Sequence, residues 1–172
     1  MKYAFAVVAL LFALPAFAAD SAVKNGDFEK GKMGWDMDPG LRVVPILEVL
    51  PQTPAAQQGQ VLAVELHKSN HRALSARLRL DRKTRMLSIQ MKMRAGPGFN
   101  PVPPTAPQFI LRLEYQGGAT FSQRAIDPAG DWQDVKWDFT DLQGKSQMKF
   151  VVEFLPGGGM ILVDDVVIEE VQ

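Results

Sequence analysis

Leu74-Ser75-Ala76-Arg77-Leu78-Arg79-Leu80 puts an apolar side chain at every second position and a polar one between. A strand sends alternate side chains to opposite faces, whereas a helix would scatter these groups around its surface. The period therefore predicts a strand with one face in a core and the other in water. The same period recurs on both sides of it. Leu62, Val64 and Leu66 share one face of the run that begins at Val61. Leu87, Ile89, Met91 and Met93 alternate with Ser88, Gln90, Lys92 and Arg94, and Phe109, Leu111, Leu113 and Tyr115 with Arg112 and Glu114. Val135, Trp137 and Phe139 share a face, as do Met148, Phe150, Val152 and Phe154, and a last strand runs from about Met160 to Val171.

Turn residues punctuate these runs: Gln58-Gly59, Gly117-Gly118, Asp127-Pro128-Ala129-Gly130 and Pro156-Gly157-Gly158-Gly159. Many one-sided strands joined by short glycine and proline turns predict an antiparallel all-β domain, a sandwich or barrel. No repeat period and no linker divides the chain. Only Gly96–Pro107 breaks the rhythm, with five prolines in twelve residues. Proline cannot donate a ladder hydrogen bond, so this segment is expected as a partly extended surface loop.

Ahead of the strands lies a different signal. Lys2 is followed by the apolar stretch Ala4–Leu14, and Ala16-Phe17-Ala18 supplies small residues at a cleavage point. This is the pattern of a secretory signal peptide over residues 1–19, cut after Ala18 or Ala19. The apolar stretch is shorter than the roughly 20 residues a bilayer-spanning helix needs. A secreted or periplasmic location follows, with residues 20–172 forming one domain. The chain has no cysteine, which excludes disulfides and attachment through a lipidated cysteine. Without Lys2 the remaining chain holds 18 basic and 19 acidic residues, so the basic excess of a nucleic-acid binder is missing. No later segment is apolar enough to span a membrane.

Two further motifs stand at the ends of the predicted domain. Asn25-Gly26-Asp27-Phe28-Glu29, with Gly34-Trp35, opens it, and Val163-Asp164-Asp165-Val166 sits in its last strand. Together they resemble carbohydrate-binding modules of the galactose-binding-like jelly-roll group, of the kind attached to xylanases and glucanases. Gly59-Gln60-Val61-Leu62-Ala63-Val64 is similar to a second marked strand of that group, and Asp131-Trp132-Gln133 to its turn before a late strand. The resemblance covers almost all of residues 20–172 and implies a jelly-roll β-sandwich, sugar binding without catalysis, and a structural calcium ion.

In such a fold the first and last strands lie side by side, bringing Glu29 near Asp164. Two buried carboxylates repel and lose hydration, and a calcium ion, which takes six to eight oxygens, would relieve both. By its parity with Val166 and Ile168, Asp164 is expected to point inward and Asp165 to solvent. Gly26 permits a tight path that would aim a carbonyl near Asp27 at the ion, and the resemblance implies a further carbonyl near Gln60. The alternative is that turn amides satisfy Glu29 and Asp164 without a metal.

A sugar site needs flat aromatic faces. Trp35 is expected to plug an end of the sandwich and Trp137 to lie in the core, which leaves Trp132, Phe99, Tyr115 and Phe121. A second candidate surface is basic. Arg77 and Arg79, Lys92 and Arg94, and Arg112 point outward on three strands, and on one sheet they would form a stripe roofed by the Gly96–Pro107 loop. Arginine binds carboxylate or sulfate bidentately, so the stripe would suit an acidic polysaccharide; the alternative, which is preferred, is a solvated sheet face balanced by Glu65 and Glu114. Catalysis has no such support. His67 and His71 flank a turn, Ser75 has no nucleophile partners, and the pairs Asp134/Asp138 and Glu169/Glu170 carry no information on carboxylate separation. The expected function is a secreted non-catalytic carbohydrate-binding protein. A structural or protein-interaction module of the same fold is the alternative, and a hydrolase is third.

Overall fold

The computed structural model of the protein describes residues 21–54, 59–102, 107–128, 130–142 and 145–172. The leader predicted over residues 1–19 lies outside these, and so does the stretch 103–106 of the proline-rich loop. The elements run β1 (Asp36–Met37), β2 (Leu41–Pro45), α1 (Ile46–Val49), β3 (Gln60–Glu65), β4 (Arg72–Arg79), β5 (Met86–Ala95), β6 (Asn100–Pro101), β7 (Phe109–Tyr115), β8 (Gly118–Arg124), β9 (Gln133–Phe139), β10 (Gln147–Phe154), β11 (Gly157–Gly158) and β12 (Met160–Val171). No described helix is long and apolar enough to cross a membrane.

Ten of the strands form two antiparallel five-stranded sheets, a jelly-roll β-sandwich as expected. Sheet I has the order β1-β4-β10-β7-β8 and sheet II the order β2-β3-β12-β5-β9, while β6 and β11 make a separate short ribbon. The inward positions of the predicted alternation meet between the sheets. Leu74, Leu78, Leu111, Phe109, Phe150 and Phe154 come from sheet I, and Leu62, Leu87, Ile89, Met91 and Met93 from sheet II; all are almost fully buried. Each such side chain contributes roughly 1.5–3 kcal/mol when removed from water, which is how a chain without disulfides holds together.

Two strands depart from the simple pattern. Both faces of β3 are covered: Leu62 and Val64 face the main core, while Val61 and Ala63 join Val44, Ile46, Val49 and Leu162 in a second apolar cluster outside sheet II. Short α1 roofs that cluster. By contrast β8, at the edge of sheet I, has no fully buried residue, so its sequence lacks the alternation that marks the others.

The opening motif lies against the last strand. Val166 N–H donates to Gly26 O at 2.9 Å and Ala22 N–H to Ile168 O at 2.6 Å, extending sheet II beyond the start of β3. The approach is so close that a Cβ on Gly26 would lie 1.7 Å from Val166 O, and only glycine fits. Asn25 organises the turn that follows. Its Nδ2 donates to Gly31 O (2.8 Å) and Met33 O (3.1 Å), and its Oδ1 accepts from Lys30 N–H (2.7 Å). Trp35 plugs the end as predicted, with its ring 5.7 Å from that of Phe28 and its Nε1–H donating to Asn25 O at 3.0 Å.

Candidate functional site

At the junction of the opening motif, β3 and β12, the four residues expected around a cation come to the same region. Glu29 Oε1 accepts the Gln60 N–H at 2.7 Å, and Asp27 Oδ1 accepts the Glu29 N–H at 3.3 Å. The orientation expected for Asp164 is corrected by the backbone. β12 carries a bulge between Asp164 and Val167, and Asp165 sits at φ 49°. The extra residue resets the parity, so Val163 and Val166 both enter the core. Asp164 instead pairs with Lys92 on the outward side of β5.

Asp164 is nonetheless half-buried. Loss of hydration raises its carboxyl to about 7, helped by the charges of Asp165 and Asp27 and opposed by the Asp165 N–H and by Lys92. Lys92 donates to Asp165 Oδ2 at 2.7 Å, and this bond raises the Lys92 ammonium above its ordinary value. A carboxylate burdened by burial and by a second aspartate fits an oxygen-ligated cation. Among the described residues, however, no three acidic, histidine or cysteine side chains are placed to hold a metal. Any ion here would depend on main-chain carbonyls for much of its shell.

The predicted basic stripe does not exist as one surface. Arg77 and Arg79 on β4 and Arg112 on β7 belong to sheet I, whereas Lys92 and Arg94 on β5 belong to sheet II. Their outward faces lie on opposite sides of the sandwich. Although β4 and β5 are consecutive in sequence, the turn between them crosses from one sheet to the other.

Strand registers align Asp36, Ser75, Val151, Arg112 and Phe121 in one row across all five strands of sheet I. Ser75 and Val151, on the outward side of their strands, are only 5% and 2% exposed. Phe121 on the rim is 64% exposed. Arg112 is held from both sides: Nη1 lies 3.3 Å from Glu153 Oε2 and Nε 3.1 Å from Glu114 Oε1. The second contact is electrostatic, since Nε finds no aligned acceptor. Glu153 Oε1 also contacts His71 Nδ1 at 2.5 Å, and Lys149 stands beside Arg77. The face is a shallow trough with an aromatic rim and a fixed arginine.

The outer face of sheet II differs, because α1 and the turn after it cover part of it. There Arg94 and Trp132 line a cleft of about 410 Å³ with residues 50–54. Two other expected platforms are drawn toward the core. Phe99 packs against the main core, and Tyr115 packs there too with Lys145 Nζ 4.7 Å from its ring centroid. Both residues are partly buried. His67 Nδ1 accepts from the Ser69 and Asn70 amides, so the two histidines serve separate contacts. A polar hollow of about 1000 Å³ opens at one end of the sandwich beside Arg82, Lys83, Arg85 and Lys145.

Phe121 was legible as a candidate platform but its strand was not, because that strand carries no fully buried face to announce it. Lys149 and Glu153 were hidden for another reason: nothing in β10 alone says which strands flank it.

No family model and no curated protein matches the sequence. Solved structures match by fold. TmCBM61, in complex with β-1,4-galactotriose, superposes with a TM-score of 0.58 at 16% identity, covering 88% of this chain and 99% of that one. The CBM22-1 xylan-binding domain of Paenibacillus barcinonensis Xyn10C gives 0.58 at 17% identity, covering 90% and 97%. The enzymatically active domain of Bacteriophage CBA120 tailspike protein 4 gives 0.62 at 10% identity, but the chain spans only 21% of its length. The jelly-roll sandwich is thus shared with carbohydrate-binding modules, and it also recurs within a larger catalytic protein.

Proposed function

We propose that the protein is a non-catalytic polysaccharide-binding module whose ligand lies along the outer face of sheet I. The observation that carries this reading is the row Asp36–Ser75–Val151–Arg112–Phe121 across the outward side of sheet I. Phe121 offers a ring face to the C–H groups of a pyranose. Asp36, Arg77, Lys149 and Arg112 offer hydrogen-bonding groups to its hydroxyls, and the low floor at Ser75 and Val151 leaves room for the chain. Likeness to carbohydrate-binding modules over nearly their whole length supports the same reading.

A calcium ion at the junction of the opening motif and β12 forms part of the proposal, with Asp164 and Asp27 as carboxylate ligands and Glu29 and the Gln60 region beside them. Its role would be structural, pinning the first segment to the last strand by binding only the folded state. Export, with the leader removed after Ala18 or Ala19, belongs to the same reading, and N-terminal sequencing of the exported protein checks it.

A glycan array followed by calorimetric titration of the best hit tests the groove. Phe121→Ala should weaken binding at least tenfold while the fold, read by circular dichroism, is retained. Unchanged affinity in that variant would remove this face from consideration. A silent array would favour the protein-interaction alternative.

A further inference from the structure

The cleft on sheet II has a chemistry of its own. Register places Leu162 of β12 against Arg94 of β5, and the β5–β9 pairing ends at Met93 with Gln133. Arg94 therefore comes next to Trp132, between two apolar groups. Trp132 packs on the second apolar cluster with Leu50 and Met160, which fixes its ring. The opposite wall is a built turn. Leu50 N–H donates to Ile46 O at 2.7 Å, and Thr53 closes on Leu50 O through both its amide (3.0 Å) and its hydroxyl (2.8 Å). Pro51 and Pro54 restrict the same turn further.

Among the described residues, the charge in this cleft is unmatched. On the same face Lys92 has Asp165 at 2.7 Å and Arg42 has Glu48 at 3.6 Å. Arg94 has no acidic partner among the described residues, and its buried Nε has no acceptor. Arg94 itself is only partly buried, so its guanidinium is open to an anionic ligand from the cleft that it lines. A guanidinium fork accepts a carboxylate in the plane of its N–H groups, while an indole face attracts an apolar ring face.

We infer that the cleft between Trp132, Arg94 and the 50–54 turn is a second binding site, selective for a carboxylate-bearing sugar unit, a hexuronic acid. The carboxylate pairs with Arg94 and the pyranose ring lies on Trp132. The site is on the opposite side of the sandwich from the sheet I trough, so one short oligosaccharide cannot fill both. The inference does not rest on the trough being a sugar site.

The indole N–H signals of uniformly ¹⁵N-labelled protein provide the test, since Trp132 is one of only three tryptophans. Galacturonic acid should shift the Trp132 signal saturably, and galactose at equal concentration should not. Arg94→Gln should weaken the binding at least tenfold. Arg94→Lys, which keeps the charge and loses the fork, should fall between. Phe121→Ala should leave it unchanged. Raising salt from about 50 mM to about 0.5 M should weaken binding, as screening of an exposed charge pair requires. An equal response to galactose, retained affinity in Arg94→Gln, or no shift of Trp132 at saturating uronate would each overturn the inference. Longer oligogalacturonides binding no better than the monosaccharide would place the ligand as a single acidic unit, as inferred. A large gain from length abolished by Phe121→Ala would relocate recognition to the trough and overturn it.

Discussion

Replacing Gly26 by alanine tests whether the opening motif holds the sandwich closed. The new Cβ would lie 1.7 Å from Val166 O, whereas ordinary C···O contacts begin near about 3.3 Å. The two segments must then separate by roughly 1.5 Å, with no flexible side chain available to yield, because the clash is with backbone. That shift breaks the 2.9 Å bond from Val166 N–H to Gly26 O at a residue only 1% exposed. An unsatisfied buried amide costs about 1–3 kcal/mol, and loosening Phe28 and Trp35 adds part of the roughly 1.5–3 kcal/mol that one buried large side chain contributes. The expected loss is about 3 kcal/mol. With a urea slope of about 2 kcal/mol/M, the unfolding midpoint should fall by roughly 1.5 M. Gly31→Ala is the control: unlike Gly26 it has a left-handed backbone (φ +64°), and a Cβ there meets nothing within 4 Å. It should lose only about 1 kcal/mol, the cost of the backbone conformation alone. Equal midpoints for the two variants would refute the claim that the contact with Val166, rather than glycine's conformational freedom, requires Gly26.

Asp164 should make cation-free protein lose stability as pH rises. Its folded value is raised from 3.8 to about 7, so below pH 4 both states hold the proton, and between pH 4 and 7 the unfolded state gives it up first. Thermal melts in chelator should therefore decline across that window, Asp164→Asn should flatten the slope, and millimolar calcium should raise the melting temperature near pH 8 by several degrees; identical melts with and without calcium would leave only amide hydrogen bonds at the junction. Asn25→Ala removes three side-chain hydrogen bonds from the 25–35 turn and a residue suited to φ 64°, and should cost about 2–4 kcal/mol in the same urea assay. Asn25→Asp keeps the acceptor for Lys30 N–H and should lose less.

The sequence by itself determined the strands that have one wet and one dry face. Leu87 to Met93 and Phe109 to Leu113 announce themselves because burial is one-sided, so the period of the backbone is copied into the residues. The paired end motifs were legible for a related reason. Asn25 meets a local backbone demand at φ 64° and Gly26 a close approach to Val166, and few other residues satisfy either, so each demand is written at a single position. Strand β8 escaped because neither of its faces is fully buried, and nothing forced its residues to alternate. Asp164 was aimed wrongly because one added residue at Asp165 inverts every parity before it.

Which strands become neighbours is a different kind of question, and only the tertiary structure decided it. Alternation tells which side of its own strand a residue occupies, but both sheets of a sandwich bury an inner face in the same way. Arg79 and Lys92 therefore look alike in sequence, yet the turn between their strands carries them to opposite surfaces. The same rule works in reverse for Arg94 and Trp132. They lie far apart along the chain and become wall and floor of one cleft through the register of β5 with β9. Pairing is set by the summed burial and hydrogen bonding of whole strands, so no single residue records it.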